Sequence, residues 1–142
     1  MDTLLEPKTD TTEVTLPEGK YYIGDLCYVF DDNEWDEVCS LTFGSDRPLQ
    51  GKYKLADGRE FVMFRTFIGD GVYDIEYNGQ GVSYAPVDSG TIGAILAKDV
   101  NKAIFVNGRS PYFITDLEEG AVCSVDDDGT MTFGDYEIHT GY

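Results

Sequence analysis

The sequence predicts a mainly β protein of the α+β class, in which an antiparallel sheet forms a small barrel or half-sandwich with one short helix packed on it. Three observations predict this class. The chain holds 10 Tyr and 8 Phe together with many Thr and Val, and these residue types favour strands. Its 16 glycines predict frequent tight turns. No helical segment follows each strand, as a parallel sheet with βαβ connections would require.

The chain begins with a polar segment. Residues 1–18 contain Pro7, Pro17 and several threonines, and we expect them to form a flexible N-terminal arm, ordered at most near Val14 and Leu16. Residues 19–142 are expected to form a single compact β-rich domain, since their length suffices for one core. The first strand of this domain is predicted within residues 20–30.

One α-helix is predicted after this strand. Asp31 or Asp32 can cap it, and the acidic residues that follow are favoured by the helix dipole. Trp35, Val38 and Cys39 have the i, i+3, i+4 spacing of a single helix face. We therefore expect these three side chains to point inward.

From residue 51 onward the pattern is strand, turn, strand. Residues 72–77 alternate, with Tyr73, Ile75 and Tyr77 on one face. Asn78-Gly79 is typical of a type I′ hairpin turn. The other predicted strands lie at 52–55, 60–68, 82–87, 91–96, 103–106, 121–125, 130–133 and 136–139. The sequence Thr115-Asp-Leu-Glu118 also matches a capping box for a single helical turn.

The charge is the strongest functional signal. The chain has 27 acidic and 10 basic residues, a formal net charge of −17. Because such an excess destabilises a compact state, it either serves a purpose or reflects life at high salt. A nucleic-acid binder needs a basic stripe, so direct nucleic-acid binding is not expected. A host protein with a basic surface is the expected partner.

Cofactor and metal chemistry are not predicted from these residues. His139 is the only histidine and has no metal-ligand partner at close spacing, so neither a histidine triad nor a metal site is expected. Three cysteines without a CxxC pair indicate buried thiols in a reducing compartment. No signal peptide or membrane span is evident, and we expect the bacterial cytoplasm as the location.

An aspartic-type hydrolase is a possible enzyme class. Val87-Asp88-Ser89-Gly90-Thr91 matches the apolar-Asp-Ser/Thr-Gly-Ser/Thr pattern, and such chemistry needs two carboxylates that share a proton. One chain of this length supplies only one half-site. A simple turn between two strands explains the same residues, and Asp88 stays a weak catalytic candidate.

Other candidate binding residues are acidic turns and tyrosines. Gly24-Asp25 and Gly69-Asp70-Gly71 could hold a ligand hydroxyl or amine beside Tyr28, Tyr73 and Tyr77, although such turns and tyrosines are also ordinary structural elements. The triplet Asp126, Asp127 and Asp128 lacks the spacing of an EF-hand loop and is expected at a hairpin tip, where it could contact a partner.

Three segments together resemble an uncharacterised family of small proteins from bacteria and their phages. They are Ile23-Gly-Asp-Leu-Cys-Tyr28, Gly69-Asp-Gly-Val-Tyr73 and Pro86-Val-Asp-Ser-Gly-Thr-Ile-Gly93. In the family pattern G-D-P-C-Y, Pro stands where this chain has Leu26. The resemblance implies no known activity, and its tolerance of Ala at the Ser89 position disfavours a nucleophilic serine.

Three functions are therefore weighed. The first is an acidic, phage-encoded binding protein that blocks a host defence protein by imitating nucleic-acid charge. The second is a small-molecule, nucleotide-like binding or sequestering protein that uses the Gly-Asp turns and the tyrosine face. The third is the hydrolase through Asp88. The first is favoured because it uses the charge and needs no catalytic histidine.

Overall fold

The computed structural model describes residues 11–42, 49–100 and 113–141. Within these ranges eleven strands and one α-helix, α1, form the fold. The helix α1 spans Asp32–Thr42. The strands are β1 Glu13–Leu16, β2 Gly19–Gly24, β3 Gly51–Lys54, β4 Glu60–Arg65, β5 Gly71–Tyr77, β6 Gln80–Val87, β7 Thr91–Leu96, β8 Ile114–Leu117, β9 Ala121–Val125, β10 Thr130–Phe133 and β11 Tyr136–His139.

The strands form two sheets. The six-stranded sheet has the order β1-β9-β10-β11-β5-β6, and the five-stranded sheet has the order β3-β4-β7-β2-β8. Neighbouring strands pair antiparallel in both. Neither sheet closes on itself, so the predicted class is confirmed in its half-sandwich form and not as a barrel.

The five-stranded sheet is the middle layer. One of its faces packs on the six-stranded sheet through a cluster that includes Ile23, Val62 and Phe64. Its other face packs on α1 through a cluster that includes Phe61 and Met63. A strand that is buried on both faces must be apolar throughout. This explains the continuous apolar run of β4, which lies between β3 and β7 in the middle layer.

The helix begins as the sequence predicts, and two of the three expected side chains face inward, since Trp35 and Val38 pack in the cluster beneath α1. Asp31 accepts a hydrogen bond from the N–H of Glu34, and Glu34 accepts one from the N–H of Asp31, which is a reciprocal capping box. Val38 is buried, whereas the expectation for Cys39 is wrong because its side chain is exposed. The inward face continues from Val38 to Leu41 and Thr42, which are three and four residues on.

Two further predictions concern the strands. Within the predicted N-terminal arm, the order allowed near Val14 and Leu16 is a strand, because Glu13–Leu16 form β1 and pair with β9, which places Leu16 in the core. The predicted capping box at 115–118 falls largely in β8, since pairing with β2 extends this segment. The expected strand at 103–106 lies outside the described residues. Asn78 and Gly79 both have positive φ, in agreement with the predicted type I′ turn.

None of the helices in the described ranges is both long and apolar enough to cross a membrane.

Candidate functional site

The three motif segments meet at one end of the half-sandwich. The first follows β2, the second begins β5, and the third is the turn from β6 into β7. Gly24 of β2 pairs with Gly93 of β7, and Gly71 of β5 pairs with Val87 of β6. Antiparallel pairing thus brings together segments that are far apart in the chain.

Asp25 is the centre of this cluster, and its side chain is completely buried. Its Oδ2 accepts the backbone N–H groups of Asp88 and Ser89 at 2.7 and 2.8 Å. Its Oδ1 accepts the Ser89 hydroxyl at 2.8 Å and the N–H of Cys27 at 2.9 Å. A carboxylate can only accept, and here both oxygens are occupied by donors. Asp25 therefore holds the β6–β7 turn against the segment after β2.

Asp88 and Tyr28 form a second contact at the same place. The Tyr28 hydroxyl donates to Oδ2 of Asp88, whose side chain lies at the surface. Partial burial is the larger cause, and the hydrogen bond with Asp88 the second, of a Tyr28 pKa above the usual tyrosine range. The phenol thus stays protonated and remains a donor to the carboxylate at neutral pH.

The Gly69-Asp70-Gly71 loop is held by two hydroxyl groups. Tyr73 donates to the carbonyl oxygen of Gly69 at 2.6 Å, and Thr66 donates to the same oxygen at 2.7 Å. Tyr73 is buried beneath the loop, whereas Asp70 is exposed. Of the five predicted site residues in these segments, four make contacts within the protein that shape the loops, namely Asp25, Tyr28, Tyr73 and Asp88.

This geometry offers little to an aspartic-type hydrolase. The mechanism needs two carboxylates that share one proton next to a water. Asp25 is the carboxylate that binds the Asp88 segment. All four of its hydrogen bonds come from N–H or O–H donors of the backbone and Ser89, and none joins it to a second carboxyl group. The arrangement holds a turn, which is the structural role expected of Asp-Ser-Gly.

Tyr77 lies away from this cluster, at a hollow of about 370 Å³. Its ring lies 5.1 Å from that of Tyr136, centroid to centroid, and the Tyr136 hydroxyl shares a hydrogen bond of 2.6 Å with Thr115. The carboxylate-bearing residues at the rim are Asp116, Glu118, Glu119 and Asp135. This hollow is aromatic and acidic.

Asp126, Asp127 and Asp128 lie at the tip of the β9–β10 hairpin, as expected, and all three are exposed. Asp126 accepts the backbone N–H groups of Asp128 and Thr130, each at 3.0 Å. These bonds stabilise the turn locally. Asp126 and Asp127 line a hollow together with Thr66 and Phe67, so the hairpin tip lies beside the segment that leads into the Gly69-Asp70-Gly71 loop.

A cluster that the sequence analysis missed lies on the outer face of the six-stranded sheet. Glu76 of β5 and Glu137 of β11 are directly opposite each other, and His139 is two residues beyond Glu137 on the same face. The alternation of β11 was a signal for the Glu137 and His139 pair. Nothing local indicated Glu76, because its position beside them depends on strand order.

Exposed apolar side chains occupy the same outer face near its β6 edge. Val72 is 66% exposed, Val82 50% and Tyr84 48%. Asp74 is paired with Tyr84, and Val72 is paired with Pro86. These large side chains therefore form one apolar group, which we name the β5–β6 patch (Val72, Val82, Tyr84 and Pro86).

Comparison of the chain with protein-family models, with curated proteins and with solved structures finds no match. The resemblance drawn from the three motifs stays a prediction.

Proposed function

We propose that this protein is an acidic binding protein that docks onto the basic surface of a partner protein through its β5–β6 patch. The observation that carries the proposal is the exposure of Val72, Val82 and Tyr84 next to the acidic residues Asp74 and Glu76 on one sheet face. Protein interfaces combine an apolar centre with a polar rim, and the patch has this composition.

The edge of the sheet supports the same surface. β6 pairs only with β5 in the described residues, and none of its eight residues is charged. Edge strands usually carry charges that prevent pairing with other chains. A bulge opposite Ile75 and Glu76, together with Pro86, limits the pairing of this edge with a further strand. The side chains of the patch remain exposed.

The charge of the chain supports a basic partner. A formal net charge of −17 creates a negative field that attracts a positive surface and speeds the encounter. Because ions at physiological concentration screen surface charges beyond roughly 8 Å, such binding weakens with added salt. In its strongest form the proposal is that the partner's basic cleft ordinarily holds nucleic acid, so that occupancy inhibits a host defence enzyme.

Affinity capture from bacterial lysate, with quantitative mass spectrometry, tests the proposal through three forms of the protein. The patch variant is Val72→Ser with Tyr84→Ser, and the control is Val122→Ser, an exposed valine on β9 of the same sheet. A true partner is retained by the wild type and the control, is lost from the patch variant, and is released by salt. If no captured protein depends on the patch, the proposal is wrong.

A second candidate is supported by the hollow beside Tyr77 and Tyr136. Its volume of about 370 Å³ falls in the range of small-ligand sites. Tyrosine rings and carboxylates both attract cations, so a small organic amine fits this hollow better than a nucleotide. Thermal unfolding with spermidine and with ATP distinguishes the two ligand classes. Stabilisation by the amine that Tyr136→Leu abolishes would support this candidate.

A further inference from the structure

Glu76, Glu137 and His139 lie together on the outer face of the six-stranded sheet. Each offers one donor atom, and the three atoms all lie within 4.8 Å of one another. Two come from β11 and one from β5, so paired strands hold them in position. We propose that these three residues bind a divalent transition-metal ion, of which Zn²⁺ fits the donor set best.

The orientation of the histidine supports the proposal. Its Nδ1 lies 3.0 Å from Oγ1 of Thr130 on β10, and its Nε2 lies 3.6 Å from Oε1 of Glu76. In metal sites the second nitrogen of a ligating histidine is usually held by a neighbouring polar group. Two ligands at about 2.0–2.2 Å from one Zn²⁺ lie roughly 3–3.6 Å apart, which the His139 and Glu76 pair nearly meets already.

The charges of the cluster also support a bound metal ion. Glu76 and Glu137 are directly opposed across two strands, and like charges in this position are destabilising. Among residues 11–42, 49–100 and 113–141, neither glutamate forms an ion pair with a lysine or an arginine. Of the two, Glu76 lies 3.6 Å from the His139 ring, and Glu137 lies opposite Glu76. A divalent cation would offset both carboxylates at neutral pH.

The donor set selects the class of ion. One imidazole with two carboxylates suits Zn²⁺ and related first-row ions, whereas Ca²⁺ and Mg²⁺ prefer oxygen ligands alone. Three protein ligands leave one tetrahedral position for water or a further ligand. The site goes beyond the proposed binding function and does not depend on it.

The test is calorimetric titration of the full chain, without a polyhistidine tag, with ZnCl₂ and in parallel with MgCl₂. His139→Ala and Glu76→Gln remove ligands, and Thr130→Val removes the group that orients the histidine. The matched control is Glu13→Gln, which removes an equal charge at an exposed position on β1 of the same sheet.

One Zn²⁺ should bind saturably to the wild type and to the control. Affinity should fall by at least about tenfold in Thr130→Val and further in the two ligand variants. Circular dichroism verifies that each variant is folded. Absence of saturable Zn²⁺ binding would overturn the proposal, as would an equal loss in Glu13→Gln, which would indicate only diffuse attraction to a negative surface.

A measurement on the wild type alone guards against misfolded variants. Cu²⁺ prefers imidazole as Zn²⁺ does and broadens the NMR signals of nearby nuclei, so substoichiometric Cu²⁺ should broaden the His139 ring signals and the amides of β5 and β11 first. Broadening centred on a distant acidic region, such as the N-terminus of α1 at Asp31 and Asp32, would contradict the assignment. Failure of the metal test leaves the proposed β5–β6 patch function intact. That function is tested by partner capture with the variant Val72→Ser with Tyr84→Ser, which keeps all three metal ligands.

Discussion

The buried carboxylate of Asp25 accepts both the backbone N–H and the side-chain hydroxyl of Ser89, 64 residues further along the chain. This pair joins the segment after β2 to the turn between β6 and β7, and so ties together the two sheets to which these strands belong. The predicted motif residue is thus a structural link. Its removal should be measured first as a change in stability.

We predict that Asp25→Ala lowers the free energy of unfolding by on the order of 3 kcal/mol or more. Three buried or partly buried N–H groups and one hydroxyl would lose their acceptor, and each unsatisfied group costs about 1–3 kcal/mol. Urea denaturation measures the change. Asp70→Asn, an exposed aspartate of the adjoining loop, is the control and should change stability by less than about 0.5 kcal/mol. Equal small effects would contradict the structural role of Asp25.

A second prediction concerns Gly93, in the middle of β7. A Cβ atom there would lie 2.2 Å from the carbonyl oxygen of Val62 and 2.9 Å from a methyl carbon of Leu26. Both neighbours are fully buried, so the strands would have to separate. Gly93→Ala should destabilise the protein by about 2–3 kcal/mol or prevent folding.

The matched control for Gly93 is Gly81→Ala in β6, where a Cβ atom would contact nothing within 4 Å. This substitution should leave the thermal midpoint unchanged or slightly higher, because alanine restricts the unfolded chain. If both glycines tolerate alanine equally, the close approach of β7 to β4 is wrong.

The cysteines should differ sharply in reactivity. Burial raises the pKa of the Cys123 thiol to about 12, and its side chain is inaccessible, whereas Cys39 is exposed on α1. Partial burial and the charge of Asp36 also raise the pKa of the Cys39 thiol, which slows its reaction. Because Cys39 is exposed, a disulfide reagent at neutral pH should still modify it in the folded protein, and Cys123 only after unfolding. Mass spectrometry of the labelled peptides against time gives the two rates. Rapid labelling of Cys123 in the folded protein would count against its place in the core.

The hydrogen bond from Tyr28 to Asp88 predicts a pH dependence. Partial burial and this bond raise the pKa of Tyr28 in the folded protein, so the stabilisation is fully present below the unfolded tyrosine pKa of about 10. It is lost as the pH rises further, because the unfolded chain then releases the proton more readily. The stability advantage of the wild type over Tyr28→Phe should therefore shrink between about pH 7 and about pH 11. An advantage that is constant over this interval would show that the raised pKa is wrong.

Local sequence patterns predicted strands and turns that the structure contains. The alternation of Tyr73, Ile75 and Tyr77 placed the first two in the core, because side chains of a strand point alternately to its two faces. Asn78-Gly79 formed its turn because these residues adopt positive φ at low cost. The inward face of α1 was predicted correctly at Trp35 and Val38 but not at Cys39, since a short helix offers more than one spacing that fits.

The sites depended on pairing that no local pattern specifies. The Asp25 and Ser89 link requires β2 and β7 to be neighbours. The Glu76, Glu137 and His139 cluster requires β11 to pair with β5 in one register. A shift of one residue would turn Glu76 toward the core and dissolve the cluster. The sequence therefore allowed candidate residues to be named, but not the prediction of which of them lie together in the fold.

By itself, the sequence determined the β-rich class, the capped helix, several hairpin turns and a surface dominated by negative charge, because composition, periodicity and turn chemistry act over a few residues. Only the tertiary structure decided that Asp25 is buried and bonded, that apolar side chains of β5 and β6 share an exposed face, and that His139 lies beside two glutamates. These features arise from contacts between segments that are distant in the chain, and those contacts depend on the strand order and register of the two sheets.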